Sequence, residues 1–195
     1  MNLDTVVARA NTVARETLGP RAQSVDVEAR WPEAGIRALQ DAGLTALTIP
    51  KDQGGLGHGL LALAKVCEAL GRDCASTSIC FGMHAVAAAV IAAKANTAQR
   101  AEFLTSIAVG DHITSLALSE PGTGTNFYYP QTRLSQSESS HLLRSGTKCF
   151  VTNGGHANSY VVSTVSADPT APPGHFSCVV LPANTTGMAW GAPWT

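Results

Sequence analysis

Two stretches of the chain combine an apolar, strand-like run with a turn rich in glycine, proline and hydroxyl groups. The first is residues 116–126, LALSEPGTGTN, and the second is residues 148–155, KCFVTNGG. Each would place hydroxyls and backbone N–H donors at a strand end, beside an aromatic ring. Such donors suit a flat heteroaromatic cofactor with carbonyl and nitrogen edges, or a phosphate. On residue chemistry alone, ordinary turns are the commoner origin of such clusters.

Composition limits the classes of function that the chain can serve. Its 195 residues suffice for one domain or two small ones. The net charge is -1 with scattered Lys and Arg, so we expect no nucleic-acid partner. Only 14% of residues are charged, against about 25% in an average soluble domain. Either part of the surface is covered by another chain, domain or cofactor, or the sequence is simply rich in Ala and Gly.

The cysteines predict a reducing environment. Their number is odd and no C-x-x-C pair occurs, which argues against a disulfide framework and against a zinc site. The N-terminus also lacks the basic-then-apolar pattern of a signal peptide. We therefore predict a cytoplasmic protein without a metal ion. The five cysteines are Cys67, Cys74, Cys80, Cys149 and Cys178.

The first part of the chain has helical periodicity. Residues 3–18 form an amphipathic pattern that Gly19 and Pro20 are expected to end. Four glycines in residues 51–59 predict a tight loop between helices, since the Gly-Lys-Ser/Thr ending of a phosphate-binding P-loop is absent. Residues 75–93 carry no charge and would pass a hydropathy test for a membrane span. Because alanine and hydroxyl residues dominate this run, we predict a helix at the centre of a bundle instead.

His84 lies within that uncharged helix. A histidine on such a helix is more often hydrogen-bonded in the core than a ligand, and no partner residue at metal-binding spacing is near. We therefore predict a structural histidine with no role in metal binding.

The second part of the chain changes to short β-rich runs separated by turn signals. Helices followed by strands, without alternation, predict an α+β fold with a boundary between residues 112 and 113. The predicted runs are residues 113–118, 142–143, 150–151, 160–165 and 176–181.

The order and spacing of five segments resemble those of the acyl-CoA dehydrogenases, flavoproteins that oxidise the Cα–Cβ bond of acyl-CoA thioesters. Each segment alone is weak, but together they cover essentially the whole chain. The segments are GLTALTIPKDQGGLG at 43–57, EALGR at 68–72, His84 with Gln99, LSEPGTGT at 118–125, and GTKCFVTNGG at 146–155.

The resemblance implies a helical N-terminal domain over residues 1–112 and an antiparallel β-barrel domain over residues 113–195. It also implies that this barrel is incomplete and that a C-terminal helical domain is absent. In the family that domain supplies the catalytic glutamate, part of the FAD site and the tetramer interface. We therefore expect a fragment, or one subunit of a split pair, and nominate no catalytic base. The family assigns a structural role to the position of Glu120.

The resemblance implies FAD as cofactor and places its contacts in the first stretch. The backbone at Leu118 and Ser119, with the Ser119 hydroxyl, would bind the pyrimidine edge of the flavin. Gly124 and Thr125 would lie near the cofactor phosphates, and Thr125 near the CoA part of the substrate. Asn126 replaces a common family aspartate, which removes a negative charge there.

The second stretch would face the flavin ring itself. Phe150 would lie against the ring, with Val151 beside it, and Thr152 would donate a hydrogen bond toward flavin N5 or O4. A donor at N5 favours the reduced flavin, so the protein would tune an electron sink that it does not itself provide. The family usually has Trp at position 150; Phe still stacks but loses contact area and the indole N–H.

Three functions follow from the resemblance. The first is α,β-dehydrogenation of an acyl-CoA in fatty acid metabolism, with an acceptor of the electron-transfer flavoprotein type and a homo- or hetero-oligomeric assembly. The second is a flavin-dependent monooxygenase or a relative of nitroalkane oxidase, which Phe150 in place of Trp favours somewhat. The third is a non-catalytic subunit or an inactive fragment.

Overall fold

The computed structural model describes residues 1–136, 142–166, 170–172 and 174–192. Helices occupy the chain as far as Ala108, and every strand in the described residues follows them. The predicted α+β order, a helical region followed by a sheet, is therefore confirmed.

Seven α-helices form the helical region, joined by short turns of other helical types. π-helical turns join α1 to α2 at Ala14–Leu18 and α6 to α7 at Arg100–Leu104, and 3₁₀ turns lie at Leu44–Ala46 and Lys51–Gln53. The helices are α1 Leu3–Val13, α2 Gly19–Val27, α3 Glu33–Asp41, α4 Leu60–Gly71, α5 Ala75–Lys94, α6 Thr97–Gln99 and α7 Thr105–Ala108.

The predicted helix end at Gly19 and Pro20 is wrong, because the helix continues through both residues as α2. Within an α-helix the ring of Pro20 would clash with the carbonyl four residues earlier. Here the preceding turn is a wider π turn, in which the N–H of Gly19 bonds to the carbonyl of Ala14, five residues back. This extra residue changes the register and lets the proline stand in the first turn of α2.

Helix α5 is the central helix of this region. It is long and apolar enough to cross a membrane by length and composition, and 56% of its most apolar window is buried inside the protein. It packs against α4 and against strand β1, with Phe81, Ala85 and Ala88 fully buried. These contacts agree with the predicted bundle centre.

His84 is fully enclosed by α5 and its neighbours. Its Nε2 lies 3.0 Å from the carbonyl oxygen of Thr45, and its Nδ1 accepts the backbone N–H of Thr114 at 3.1 Å. One nitrogen must donate and the other accept, so the ring is neutral. Burial lowers the pKa of His84 to about 4, despite the opposing effect of these backbone hydrogen bonds. The prediction of a structural histidine is confirmed.

In the part of the chain that the structure describes, five strands follow the helices. β1, β4 and β5 form one sheet in the order β1-β4-β5, and β2 and β3 form a separate antiparallel hairpin. β4 is buried on both faces along most of its length. The strands are β1 Thr114–Ala117, β2 Arg133–Gln136, β3 Leu142–Ser145, β4 Ser159–Val165 and β5 Phe176–Pro182.

The sheet differs in one respect from the predicted antiparallel barrel. β4 is antiparallel to β5, but β1 runs parallel to β4, with Thr114 opposite Ser159 and Ala117 opposite Val162. Parallel neighbours need a long crossover connection, and the segment that carries the β2–β3 hairpin provides it. The described sheet is therefore mixed.

Candidate functional site

The two hydroxyl-rich stretches meet in the folded chain. The backbone N–H of Cys149 donates to the carbonyl oxygen of Ser119 at 2.9 Å. The Lys148 ammonium donates to the neighbouring carbonyl of Leu118 at 3.2 Å. The loop that follows β1 and the loop that precedes β4 are thus joined directly. The sequence predicted both loops, and the structure places them side by side.

Phe150 stands at this junction in a strained conformation. Its φ is 52°, in the left-handed region that a bulky side chain rarely adopts. Its ring is 71% exposed, so burial of the ring does not explain the conformation. The predicted strand over residues 150–151 is wrong, since Val151 instead begins a turn closed by the Gly154 N–H at 2.9 Å. Strain of this kind concentrates at functional sites.

A hydrogen bond from β1 holds the backbone of Thr152. The Ser115 hydroxyl donates to the Thr152 carbonyl oxygen at 2.6 Å. Thr152 and Ser119 are both half-buried, and no bond from either hydroxyl to another described residue is present. The two hydroxyls are therefore available as donors on the same joined loops that carry Phe150.

Asn153 fastens this loop to the helical region. Its side-chain oxygen accepts the indole N–H of Trp31 at 2.9 Å, and its amide donates to the Cys80 carbonyl in α5 at 2.9 Å. The Tyr160 hydroxyl donates to the Asn153 carbonyl at 3.0 Å. Trp31 also stacks on His156 with ring centroids 4.6 Å apart. Sequence reasoning missed this node, because its central bond, between Trp31 and Asn153, joins residues 122 positions apart.

An ion pair lies beneath the first loop and was not predicted either. Lys148 Nζ is 2.6 Å from Glu120 Oε1, and both side chains are almost fully buried. Burial raises the pKa of Glu120, but hydrogen bonds from Lys148, Thr132 and the Gln131 N–H outweigh it and lower the pKa to about 2. Glu120 therefore stays ionised at neutral pH. The sequence held only a weak indication of this ion pair, namely that Glu120 and Lys148 each lie beside an apolar, strand-like run.

Gly124 and Thr125 lie further along the first loop, on its exposed side. Successive turns are closed there by the Thr123 N–H to Glu120 and the Asn126 N–H to Thr123. Gly124 has φ 51° and open space around its Cα. In the described part of the chain, no hydrogen bond joins Thr125 to Phe150 or Thr152. The structure thus brings Leu118, Ser119, Phe150, Val151 and Thr152 into one region and leaves Gly124 and Thr125 at its edge.

The described residues contain no group of His, Cys, Asp and Glu that could hold a metal ion. All five cysteines are free thiols, which agrees with the expected lack of disulfide bonds.

Comparison with known proteins identifies the class to which this fold and these loops belong. The family profile described as "Acyl-CoA dehydrogenase, N-terminal domain" matches residues 3–111, and "Acyl-CoA dehydrogenase, middle domain" matches residues 115–195. The chain belongs to the acyl-CoA dehydrogenase family, as the resemblance implied.

Particular relatives support this assignment. The chain is 31% identical to the mitochondrial short-chain specific acyl-CoA dehydrogenase of Sus scrofa, over 91% of its own length and 43% of that protein. It is 28% identical to the mitochondrial isobutyryl-CoA dehydrogenase of Dictyostelium discoideum, over 91% of its length and 42% of that protein. The chain therefore spans less than half the length of these curated relatives.

Solved structures share the fold. Butyryl-CoA dehydrogenase from Megasphaera elsdenii superposes with a TM-score of 0.85 at 23% identity, covering 95% of this chain and 49% of that one. A chain from the structural work on the electron transferring flavoprotein of Acidaminococcus fermentans gives a TM-score of 0.87 at 25% identity, covering 97% of this chain and 50% of that one.

Proposed function

We propose that this chain is the flavin-binding part of an acyl-CoA dehydrogenase and that FAD lies against its two joined loops. The observation that carries the proposal is the junction itself. Cys149 bonds to Ser119 across the loops, which joins the loop of Ser119 to the loop that carries the exposed, strained Phe150 and Thr152. Membership in the acyl-CoA dehydrogenase family supports the choice of a flavin as the cofactor.

The residues present fit a flavin. The Ser119 hydroxyl and backbone suit the pyrimidine edge, and the Thr152 hydroxyl suits N5 or O4. Phe150 and Val151 offer an apolar surface to the ring, and Phe150 is the most exposed aromatic side chain among the described residues. Leu118 shapes the same loop through its backbone.

The exposed edge of the site suits anionic groups. Gly124 leaves room for close approach, and the Thr125 hydroxyl is exposed on the same turn. We assign both to the cofactor phosphates, and Thr125 also to the CoA part of an acyl-CoA substrate. The acyl-CoA class follows from the names of the relatives.

FAD supplies the hydride acceptor for α,β-dehydrogenation when it is bound. The residues of this chain would bind and orient it, and the Thr152 hydroxyl would offer a hydrogen-bond donor to N5. Glu120 is unsuited to remove the substrate α-proton, because it is buried, paired with Lys148 and held ionised with a pKa of about 2. We therefore assign the base to another part of the functional enzyme.

The chain has two domains in this proposal and works within a larger assembly. We propose a helical domain over residues 1–112 and a flavin-binding domain over residues 113–195. The functional unit is an oligomer, or a complex with a chain that completes the site, and it passes electrons to an acceptor of the electron-transfer flavoprotein type. Five free thiols fit a cytoplasmic setting.

Titration with FAD tests the cofactor assignment. We expect the purified chain to quench the fluorescence of added FAD and to retain about one flavin per chain after gel filtration. Phe150→Ala should weaken binding at least tenfold, because the ring contact is lost. Val109→Ala is the matched control, since Val109 is also an apolar residue, 67% exposed, but precedes β1 in the chain, whereas the first loop follows β1. Equal affinity of both variants would exclude Phe150 from the site.

The reaction is tested on the flavin-loaded protein, alone and with its completing chain. Anaerobic bleaching of the flavin by a short acyl-CoA supports dehydrogenation. Oxygen consumption driven by chemically reduced flavin, without bleaching by acyl-CoA, supports the monooxygenase instead. The curated relatives named above are dehydrogenases, which favours the first outcome.

A further inference from the structure

A buried ammonium group lies directly behind the first loop. Lys148 Nζ donates to the Leu118 carbonyl at 3.2 Å, to Glu120 at 2.6 Å and to the Ser163 hydroxyl at 2.9 Å. These are the acceptors of Lys148 Nζ among the residues that the structure describes, and all three are oxygens suited to an ammonium donor. The position of the ammonium is therefore set by the loop, by its counter-ion and by β4 together.

The counter-ion is fixed from its other side. Glu120 accepts the Thr132 hydroxyl at 2.6 Å, the Thr132 N–H at 3.1 Å and the Gln131 N–H at 2.5 Å. Gly146 passes so close to Thr132 that a Cβ there would lie 2.3 Å from its hydroxyl oxygen. The segments before β2 and after β3 thus hold the carboxylate and the ammonium against each other.

This arrangement determines the direction of one backbone donor. Lys148 draws the carbonyl of Leu118 toward itself. In a trans peptide the following N–H points the opposite way, and the described chain has no cis peptide. The N–H of Ser119 is therefore turned away from Lys148. The Cys149 N–H fixes the next carbonyl, that of Ser119, at 2.9 Å.

We propose that Lys148, with Glu120 as its counter-ion, is a positioning residue that aims the Ser119 N–H at the pyrimidine edge of the flavin. This inference rests on the proposed function and gives the ion pair a specific role within it. A buried ion pair is weak evidence for stability, because apolar residues of similar volume often serve equally well. A Met side chain cannot bond to the Leu118 carbonyl, however, so it cannot replace the geometric role.

The test compares two double variants of the whole chain. Glu120→Gln with Lys148→Met removes both charges, so that no buried charge is left unpaired. Glu68→Gln with Arg72→Met is the matched control, because that pair has the same 2.6 Å separation but lies at the C-terminal end of α4 with side chains 63% and 68% exposed, respectively. For each protein we would measure the FAD dissociation constant, the thermal midpoint without cofactor, and the shift of the Ser119 amide NMR resonance on adding FAD.

We expect the Glu120/Lys148 variant to keep a thermal midpoint close to that of the wild type and to bind FAD at least tenfold more weakly. The Ser119 amide shift should shrink, while the control variant should match the wild type. A purely structural pair would lower the midpoint without this selective change at Ser119. Wild-type affinity and a wild-type Ser119 shift in the Glu120/Lys148 variant would overturn the inference alone. Failure of the wild type to bind FAD would overturn the proposed function and, with it, the inference.

A milder variant keeps the test decisive if the double variant does not fold. Ser163→Ala removes one of the three acceptors of Lys148 and leaves both charges in place. We expect about threefold weaker FAD binding and a smaller Ser119 shift. Unchanged values of both would overturn the inference.

Discussion

At position 150 a bulky aromatic residue occupies a backbone conformation that such residues rarely adopt. Phe150 adopts a left-handed φ of 52° while 71% of its surface remains exposed. The left-handed backbone is unfavourable for a bulky side chain, and Phe150 adopts it two residues before Thr152. Asn153 shares the left-handed conformation, with φ 61°, but asparagine tolerates it well and is fastened by Trp31 and Cys80. The two residues form a strained turn whose exposed member carries the proposed function.

Phe150→Asn should therefore raise the free energy of unfolding of the cofactor-free chain by about 1 kcal/mol, the lower end of the cost of such strain. It should also weaken FAD binding. Urea denaturation measures the first effect, and Val109→Asn is the control, since Val109 is exposed with an ordinary φ of -85°. A variant of Phe150 no more stable than the wild type would show that the left-handed backbone carries no strain.

The loop that joins the first helices to α4 shows how short elements position the larger ones. It folds back on itself through backbone bonds from Gly55 to Pro50, Leu56 to Ala46 and Gly57 to Ile49. The glycine-rich pattern predicted a tight loop there rather than a phosphate site. The structure shows the reason for Gly55, because a Cβ would lie 2.2 Å from the Ile49 carbonyl oxygen.

Gly55→Ala should lower the free energy of unfolding by about 3 kcal/mol or more, because backbone atoms must move to relieve the clash. Gly59→Ala should change it by less than about 1 kcal/mol, since nothing lies within 4 Å of that position and the residue precedes α4 with an ordinary φ of -98°. Thermal or urea unfolding of the pair is sufficient. Similar stabilities of the two variants would contradict the packing argument.

Across the whole molecule, His84 joins the helical region to the sheet. It bridges the Thr45 carbonyl and the Thr114 N–H, so it can perform both roles only while neutral. Protonation would leave a charge in the core and remove the acceptor for β1. Protonation of His84 would therefore weaken this contact between the helical region and the sheet.

We expect stability to decline as pH falls from about 6.5 to about 4. The folded-state pKa of His84 lies below its usual 6.5, so the unfolded state binds the proton at a higher pH than the folded state does. Lowering the pH therefore stabilises the unfolded state relative to the folded state. The difference corresponds to about 3 kcal/mol. Free energies of unfolding measured across this pH range should decline in the wild type. In His84→Gln most of this pH-dependent decline should be absent.

The remaining slope in His84→Gln comes from His112, whose pKa burial also lowers, and below about pH 5 also from Glu120, whose folded-state pKa is about 2. His175→Gln, at an exposed position, is the control and should keep the full decline. A wild-type slope in His84→Gln would refute the assignment to this residue.

The sequence by itself determined the order of helices and strands, the burial of α5 and the family. Each of these depends on local periodicity, or on motifs that keep their order along the chain. The two hydroxyl-rich loops were also visible, because hydroxyls and glycines cluster within a few residues of each other.

Only the tertiary structure decided how those loops are held. The Glu120–Lys148 pair, the Trp31–Asn153 bond and the parallel pairing of β1 with β4 join residues between 28 and 122 positions apart. Such contacts form when separate elements pack, so no local pattern encodes them. The continuation of the helix past Pro20 is similar, since the wider turn before it is not specified by proline's own preference. The local sequence shows which hydroxyl and backbone groups are present in the proposed flavin site, whereas tertiary packing sets the direction in which those groups point.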